Sequence, residues 1–252
     1  MADIKQSVQS QFGRVAENYR LSAVHAAGED LQRLVQIAAA ESVYQALDVG
    51  CGAGHTAAAI APHAGEVIAY DLTPTMLEQV ETLAAERSLT NLTTRQGDVE
   101  SLPFADATFD LVVSRYSAHH WPHPAQALAE IARVLKPGGR FILSDIVAHD
   151  DPAQDTFLQA IELLRDPSHV RDHNKAQWQA LYAGAGFTAE VAFEWMLPLA
   201  FDAWVTRIAT PPLYVEALRA LFDGAPGEIR AAFDIQPDYT FSIPGALFVG
   251  RQ

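Results

Sequence analysis

The chain has 252 residues, 49% of them hydrophobic, with 17 Lys and Arg against 31 Asp and Glu for a formal net charge of −14. This content can fill a sizeable core, while an acidic chain without clustered Lys and Arg argues against nucleic acid, whose counterions only a basic surface displaces. Cys51 is the single cysteine and excludes an internal disulfide; no long apolar run predicts a membrane span, and the polar start MADIKQSVQSQFGRVAENYR lacks the apolar core of a secretion signal, so a cytoplasmic location is expected.

Residues 5–40 read as helical, with Val8, Phe12, Val15 and Tyr19, then Leu31, Leu34, Val35 and Ile37, at apolar positions. Short apolar runs then alternate with helical patterns. Strands are predicted at 44–49, 66–71, 91–98, 109–116 and 140–147. Helices fall between them: one from about 54 to 61, one from Thr73-Pro74 through Arg87, and an amphipathic one over 125–135 that ends at Lys136-Pro137-Gly138-Gly139. The alternation implies βαβ units and a mostly parallel sheet buried on both faces, with right-handed crossovers.

Beyond residue 150 the pattern loosens into a charged helix and loop (153–175) and a helix in KAQWQALYAGAGF. A sixth strand is expected at 189–196 and helical segments over 202–233, broken by Pro211-Pro212 and by Gly224, Pro226 and Gly227. A last strand is expected at 241–251. The economical organisation is one domain over 1–252 with a cofactor-binding core at 44–147. The 1–40 segment would be a helical lid, and 150–175 and 200–235 caps over the ligand edge of the sheet.

LDVGCGAGHT ends the first strand in three alternate glycines, Gly50, Gly52 and Gly54. Such a turn lets a ligand approach bare backbone at the carboxyl edge of a parallel sheet, and the next helix offers free N–H groups. Asp71 ends the second strand about 20 residues on, where an acid meets ribose hydroxyls, and Asp98 closes the third along the same edge. Two acids along this edge, read as without a Lys or Arg beside them, suit an adenosine without phosphates. A nicotinamide-dependent oxidoreductase is disfavoured because G-C-G-A-G lacks the G-x-G-x-x-G spacing.

LDVGCGAGHT, VIAYDLTPTML, GDVESLPFADATFDLVVSRYSAHHW and LAEIARVLKPGGRFILSD together resemble the class I S-adenosylmethionine-dependent methyltransferases. They are similar to the small-molecule branch of ubiquinone/menaquinone C-methyltransferases. With AVHAAGEDLQRL before and LRDPSHVR after, most of the chain resembles the YafE-type bacterial methyltransferases. The resemblance implies a Rossmann-like seven-stranded sheet, order 3-2-1-4-5-7-6 with the last strand antiparallel, and S-adenosylmethionine as cofactor with S-adenosylhomocysteine as product. It implies that Gly50, Gly52 and Gly54 cradle the amino-acid end in a turn oriented by Asp48, and that Asp71 holds the ribose. Leu72 and Met76 would lie beside the adenine, Asp98 on its amino group, Val99 against its ring, and Arg115 near the methionine moiety. The expected partner is a small-molecule methyl acceptor reacting through oxygen, carbon or nitrogen. A homodimer is the candidate assembly, and a non-methylating binder of the same cofactor is the alternative.

Methyl transfer needs an aligned nucleophile, a dry cavity and, for some acceptors, a proton acceptor. SAHHWPHP follows the fourth strand and makes His119 or His120 a candidate base or orienting group, with Trp121 as a wall. A metal held by His119, His120 and His123 lacks a carboxylate or thiol partner at ligand spacing. Asp145 and His149 are expected to face the acceptor, and RDPSHVRDHN brings Arg165, His169 and Arg171 as candidate anion clamps. Tyr19, Ser22 and His25 share a helical face suited to a lid.

Overall fold

The computed structural model describes residues 3–252. Seven strands, β1 (Val43–Val49), β2 (Ala64–Asp71), β3 (Leu92–Gln96), β4 (Phe109–Arg115), β5 (Leu135–Ile146), β6 (Thr188–Leu199) and β7 (Phe241–Arg251), form one sheet in the order β3-β2-β1-β4-β5-β7-β6. β1 to β5 run parallel, while β7 pairs antiparallel with both β5 and β6. This is the expected Rossmann-like class I topology. The order reverses between β1 and β4, so a crevice opens beyond their carboxyl ends.

Helices cover both faces because the central strands are apolar on both. α1 (Ile4–Gly13), α2 (Ala16–Arg20), α3 (Ala23–Ala26) and α4 (Glu29–Ala39) precede the sheet; α5 (His55–Ile60), α6 (Pro74–Glu86) and α7 (Pro124–Val134) connect its first five strands. α8 (Pro152–Arg165) and α9 (Lys175–Gly184) follow β5, and α10 (Phe201–Arg207), α11 (Pro212–Asp223) and α12 (Gly227–Ala232) lie between β6 and β7. Leu47, Val112, Phe141 and Phe248 pack with Leu128 and Ile131 of α7 and Trp178 of α9. On the other face Ala46, Val67, Val113 and Ile142 meet Leu34, Ala57 and Val80 of α4, α5 and α6. A further cluster gathers Ile146, Leu199 and Phe241 at the strand ends with Leu158, Trp204 and Phe222. Among the described residues, no helix is long and apolar enough to cross a membrane.

Three local expectations are corrected. The 5–40 segment forms four helices rather than a continuous run. Its first half buries Val15 and Tyr19 against Met76 and Ile208, and its second buries Leu34 and Ala38 under the sheet; one straight axis cannot serve both surfaces. The third strand stops at Gln96, so Gly97 and Asp98 lie in the loop beyond it. A Cβ on Gly97 would stand 1.9 Å from the Tyr70 hydroxyl, which explains the glycine. The fifth strand starts at Leu135, five residues ahead of the expected 140. The register shift between Phe109 and Leu111 absorbs the Pro137-Gly138-Gly139 irregularity, where Gly138 has φ +79°.

Candidate active site

A cleft of about 1000 Å³, open to solvent, lies at the carboxyl ends of β1, β2 and β4. Its floor is the turn after β1, where Gly50, Gly52 and Gly54 have φ of +66°, +51° and +87°. In this left-handed region an L side chain costs about 1–2 kcal/mol. The glycines differ in what surrounds them. A Cβ on Gly50 would lie 1.9 Å from Ser117 Oγ, and one on Gly54 2.9 Å from Val80; on Gly52 it would meet nothing within 4 Å. Gly50 and Gly54 therefore serve close packing, and Gly52 leaves open space along the cleft.

Asp71 braces this floor. Its Oδ2 accepts from the Gly52 N–H at 2.9 Å and its Oδ1 from the Thr73 N–H at 2.8 Å, joining the turn to the start of α6. Burial raises its carboxyl above the usual range, and these two N–H groups act in the opposite sense. Asp48 is fully buried two residues before the turn, with neither carboxylate oxygen hydrogen-bonded; burial pushes it up to about 7. Leu72, Met76 and Val99 line the cleft together with Val8 and Phe12 of α1.

Asp98 also lines the cleft, and its carboxylate meets Lys5 Nζ at 2.5 Å; Lys5 also bonds Glu100. A cation 93 residues upstream thus sits on this acid, contrary to the expectation of no Lys or Arg there, while the nearby Arg95 lies over the Phe104 ring. The pair ties α1 across the cleft mouth. Arg115 lines the cleft as well, yet its guanidinium is engaged elsewhere. Nε pairs with Asp30 Oδ2 at 2.5 Å, Nη1 donates to the His25 carbonyl at 2.8 Å, and Nη2 reaches the Val24 carbonyl at 3.3 Å. Its contacts lock α3 and α4 against β4.

A second chamber of about 500 Å³, likewise open to solvent, adjoins the first and shares Phe12, Tyr19, His25, Tyr116 and His120 with it. His119 stands in its wall. His119 Nδ1 lies 2.7 Å from Asp145 Oδ1, and Asp145 Oδ2 accepts from the Ala118 N–H at 2.8 Å. Burial alone would lower this imidazole, but the charge and hydrogen bond of Asp145 overrule it and hold it at about 9. His120 sits with its ring 4.3 Å from that of His119 and donates from Nδ1 to the Ser168 carbonyl at 3.1 Å. Burial first, and then the charge of His119, lower it to about 4. At neutral pH His119 carries the positive charge and His120 is neutral imidazole.

The remaining candidates scatter. Asp145 reaches the chamber only through His119. Trp121 walls the cofactor-sized cleft, its indole N–H donating to Ser117 Oγ at 3.3 Å. His169 packs behind His119 and His120 at ring distances of 5.8 and 6.5 Å and bonds Gln159, lining neither cavity. His149 lines neither cavity; its ring packs on Phe233 at 4.9 Å, because Asp145 and Ile146 are the last strand residues and the chain then turns away. Arg171 is spent on Asp155 at 2.7 Å at the surface, and His123 turns out to Glu100 at 3.1 Å, away from the other two histidines. Arg165 does line the second chamber, its Nη1 3.6 Å from Glu162 Oε2.

Tyr116, Glu162 and Arg207 also line this chamber without having been singled out in the sequence. For Glu162 the signal was present: it shares the buried face of α8 with Leu158, Ile161 and Arg165, a helical spacing in which polar residues stand out. Tyr116 follows β4 with φ +53°, and its buried hydroxyl has no partner. Nothing in FDAWVTR marks Arg207 beyond being a lone cation on an apolar helix.

Residues 47–143 match the family model of a methyltransferase domain. The chain is 39% identical to the uncharacterized methyltransferase YcgJ of Bacillus subtilis (strain 168), over 90% of each chain. It belongs to the class I methyltransferases. This methyltransferase is also 45% identical to YafE of Escherichia coli (strain K12), over 72% of its own length and 88% of that relative. It matches the crystal structure of YcgJ with a TM-score of 0.84 at 36% identity, covering 88% of this chain and 97% of that one. The family uses S-adenosylmethionine, and the cleft fits it on two counts, the open space at Gly52 and the carboxylate of Asp71 at the edge, whereas Asp48 is buried beneath the turn and does not line the cleft.

Proposed function

We propose that this methyltransferase methylates a small-molecule acceptor at oxygen, carbon or nitrogen, with S-adenosylmethionine in the cleft and the acceptor in the adjoining chamber. The observation that carries this reading is the junction of the two cavities at Tyr116 and His120, directly beside the glycine turn. S-adenosylmethionine, when bound, supplies a methyl group on a positive sulfonium whose departure needs no proton. Gly52 would make room for its amino-acid end, Asp71 would accept from the ribose, and Leu72, Met76 and Val99 would form the adenine walls. α1 to α3, which line the cavities through Lys5, Phe12, Tyr19 and His25, act as the lid, while α4 packs under the sheet, and the segments around α8 and α10 cap the acceptor. Incubation with labelled S-adenosylmethionine and a panel of hydroxyl, amine and activated-carbon acceptors tests the reading. Acceptor-dependent formation of S-adenosylhomocysteine supports it, and none with any acceptor class speaks against it.

Proton traffic falls to the histidines. His120 lines both cavities and is neutral, with Nδ1 on the Ser168 carbonyl and Nε2 3.8 Å from Asp166 Oδ2, so for an acceptor that must lose a proton Nε2 would take it, with Asp166 steadying the imidazolium. His119, kept charged by Asp145, orients and polarises.

The turn offers a first prediction. Gly52→Ala is expected to fold with a penalty of about 1 kcal/mol from its left-handed φ, yet to bind S-adenosylhomocysteine distinctly more weakly. Gly50→Ala clashes with Ser117 and should lower the melting temperature far more. Thermal melts and calorimetric titration of the two variants separate these effects.

A second prediction concerns stability. The folded-state value of His119 lies above that of an unfolded histidine, so its contribution is complete below about pH 6.5 and is lost as pH rises through about 9. The shift corresponds to stability on the order of 3 kcal/mol. Urea unfolding at pH 6, 7.5 and 9.5 should show wild type losing that much relative to His119→Gln. Parallel profiles would contradict the Asp145–His119 ion pair.

A further inference from the structure

Arg207 is an arginine whose charge the protein leaves unanswered. It ends α10 and lines the second chamber, but its Nε is buried without a hydrogen-bond partner. The bond it does make is long, from Nη1 to Ser22 Oγ at 3.4 Å, and that hydroxyl is already 2.8 Å from His25 Nδ1. It forms no ion pair among the described residues. The buried arginines Arg115, Arg140 and Arg165 differ, each having a carboxylate: Asp30 at 2.5 Å, Glu41 at 3.6 Å and Glu162 at 3.6 Å. Burial and the neighbouring charge of Arg165 press the half-buried Arg207 guanidinium downward, while Glu162 and the tyrosines Tyr19 and Tyr116 act in the opposite sense from a distance. A guanidinium with a buried free donor is stabilised by an anion with two acceptor oxygens. No carboxylate of the described residues comes within ion-pair distance of it, and Glu162 pairs with Arg165 instead.

The rest of the wall defines the body of the occupant. Ile146, Leu197, Leu199 and Ile243 at the ends of β5, β6 and β7, with Trp204 of α10, present an apolar surface. His119 and His120 stand in the same chamber, His120 at its border with the cleft.

We propose that the methyl acceptor is a small carboxylic acid with an apolar body, its carboxylate held by Arg207 and its reacting atom at the His120 border of the chamber. This rests on the methyl-transfer reading and adds the substrate class. Arg165 supports the site by keeping Glu162 turned away from Arg207.

The test is calorimetric titration of the full chain, with and without saturating S-adenosylhomocysteine, using hexanoate, benzoate and 4-hydroxybenzoate. Hexanamide, benzamide and hexyl phosphate serve as comparisons. Acids are expected to bind at least about tenfold tighter than the matching amides. Arg207→Met should weaken the acids by at least about tenfold and leave the amides and the nucleoside unchanged, with Arg207→Lys retaining part of the acid affinity. If Arg207→Met does not fold, Arg207→Lys and Arg207→Gln give the same comparison. The proposal is overturned if no acid binds at millimolar concentration, if amides bind as well as acids, if the variants bind acids like wild type, or if hexyl phosphate outcompetes hexanoate. Failure of the nucleoside to bind refutes the methyl-transfer reading instead, and the titrations without it still report on Arg207.

Discussion

Asp71→Ala is expected to weaken S-adenosylhomocysteine binding by roughly 100-fold or more. The carboxylate accepts two backbone N–H bonds, from Gly52 at 2.9 Å and Thr73 at 2.8 Å, and so holds two walls of the cleft in register. Hydrogen bonds to a charged acceptor contribute about 1.5–3 kcal/mol each, and about 1.4 kcal/mol is tenfold in affinity. Loss of the bracing lets the two walls move apart, and two bonds from ribose hydroxyls to the same carboxylate, at about 1.5 kcal/mol each, would account for a loss of that size. Asp71→Asn keeps the shape but turns one acceptor into a donor, so it should fall between wild type and alanine. Calorimetric titration checks both. An alanine variant that binds like wild type would remove Asp71 from the cofactor site.

The second large effect is on rate. His120→Gln is expected to lower kcat by about 10²–10⁴-fold for an acceptor that must lose a proton, with S-adenosylhomocysteine affinity little changed. The pH profile identifies which histidine acts. His120 is neutral above about pH 4, so its acceptor form is complete from pH 5 to 8 and the wild-type rate should be flat there. His119 is charged below about pH 9, so a rate depending on its neutral form would climb about tenfold per pH unit toward that value. His119→Gln also removes the charge that depresses His120 and should move the acidic limb upward. A flat profile in His120→Gln at the wild-type rate would exclude proton transfer by either ring.

Local pattern carried the sheet because β1, β2, β4 and β5 contain apolar runs between breakers, although β3 is polar and β6 alternates, and the order follows from the family resemblance. Pattern could not fix where strands meet ligand. β3 ends at Gln96 because its pairing with β2 ends at Asp71, a register that only the assembled sheet defines. The residues lining the first cleft were legible because the glycine turn and Asp71 are contiguous with the strands that position them. The second chamber was legible only in part, through Tyr19, His25, His119, His120 and Arg165. Its residues come from α2, the end of β4, α8, α10 and the ends of β5 to β7, brought together by long-range packing. Lys5 on Asp98 and Asp30 on Arg115 show the same limit, since each partner lies 85 to 93 residues away and changes what the sequence-adjacent group can do. His149 and Arg171 looked suitable by residue type, but Phe233 and Asp155 occupy them.

The central claim is that the cleft beside Gly52 and Asp71 receives S-adenosylmethionine and opens into an acceptor chamber. Titration of the wild-type protein with S-adenosylhomocysteine and, separately, with a nicotinamide dinucleotide tests it most directly. Saturable binding at one site per chain with a raised melting temperature is predicted for the first compound alone. Absence of both with the first, together with their appearance for the dinucleotide, would contradict it.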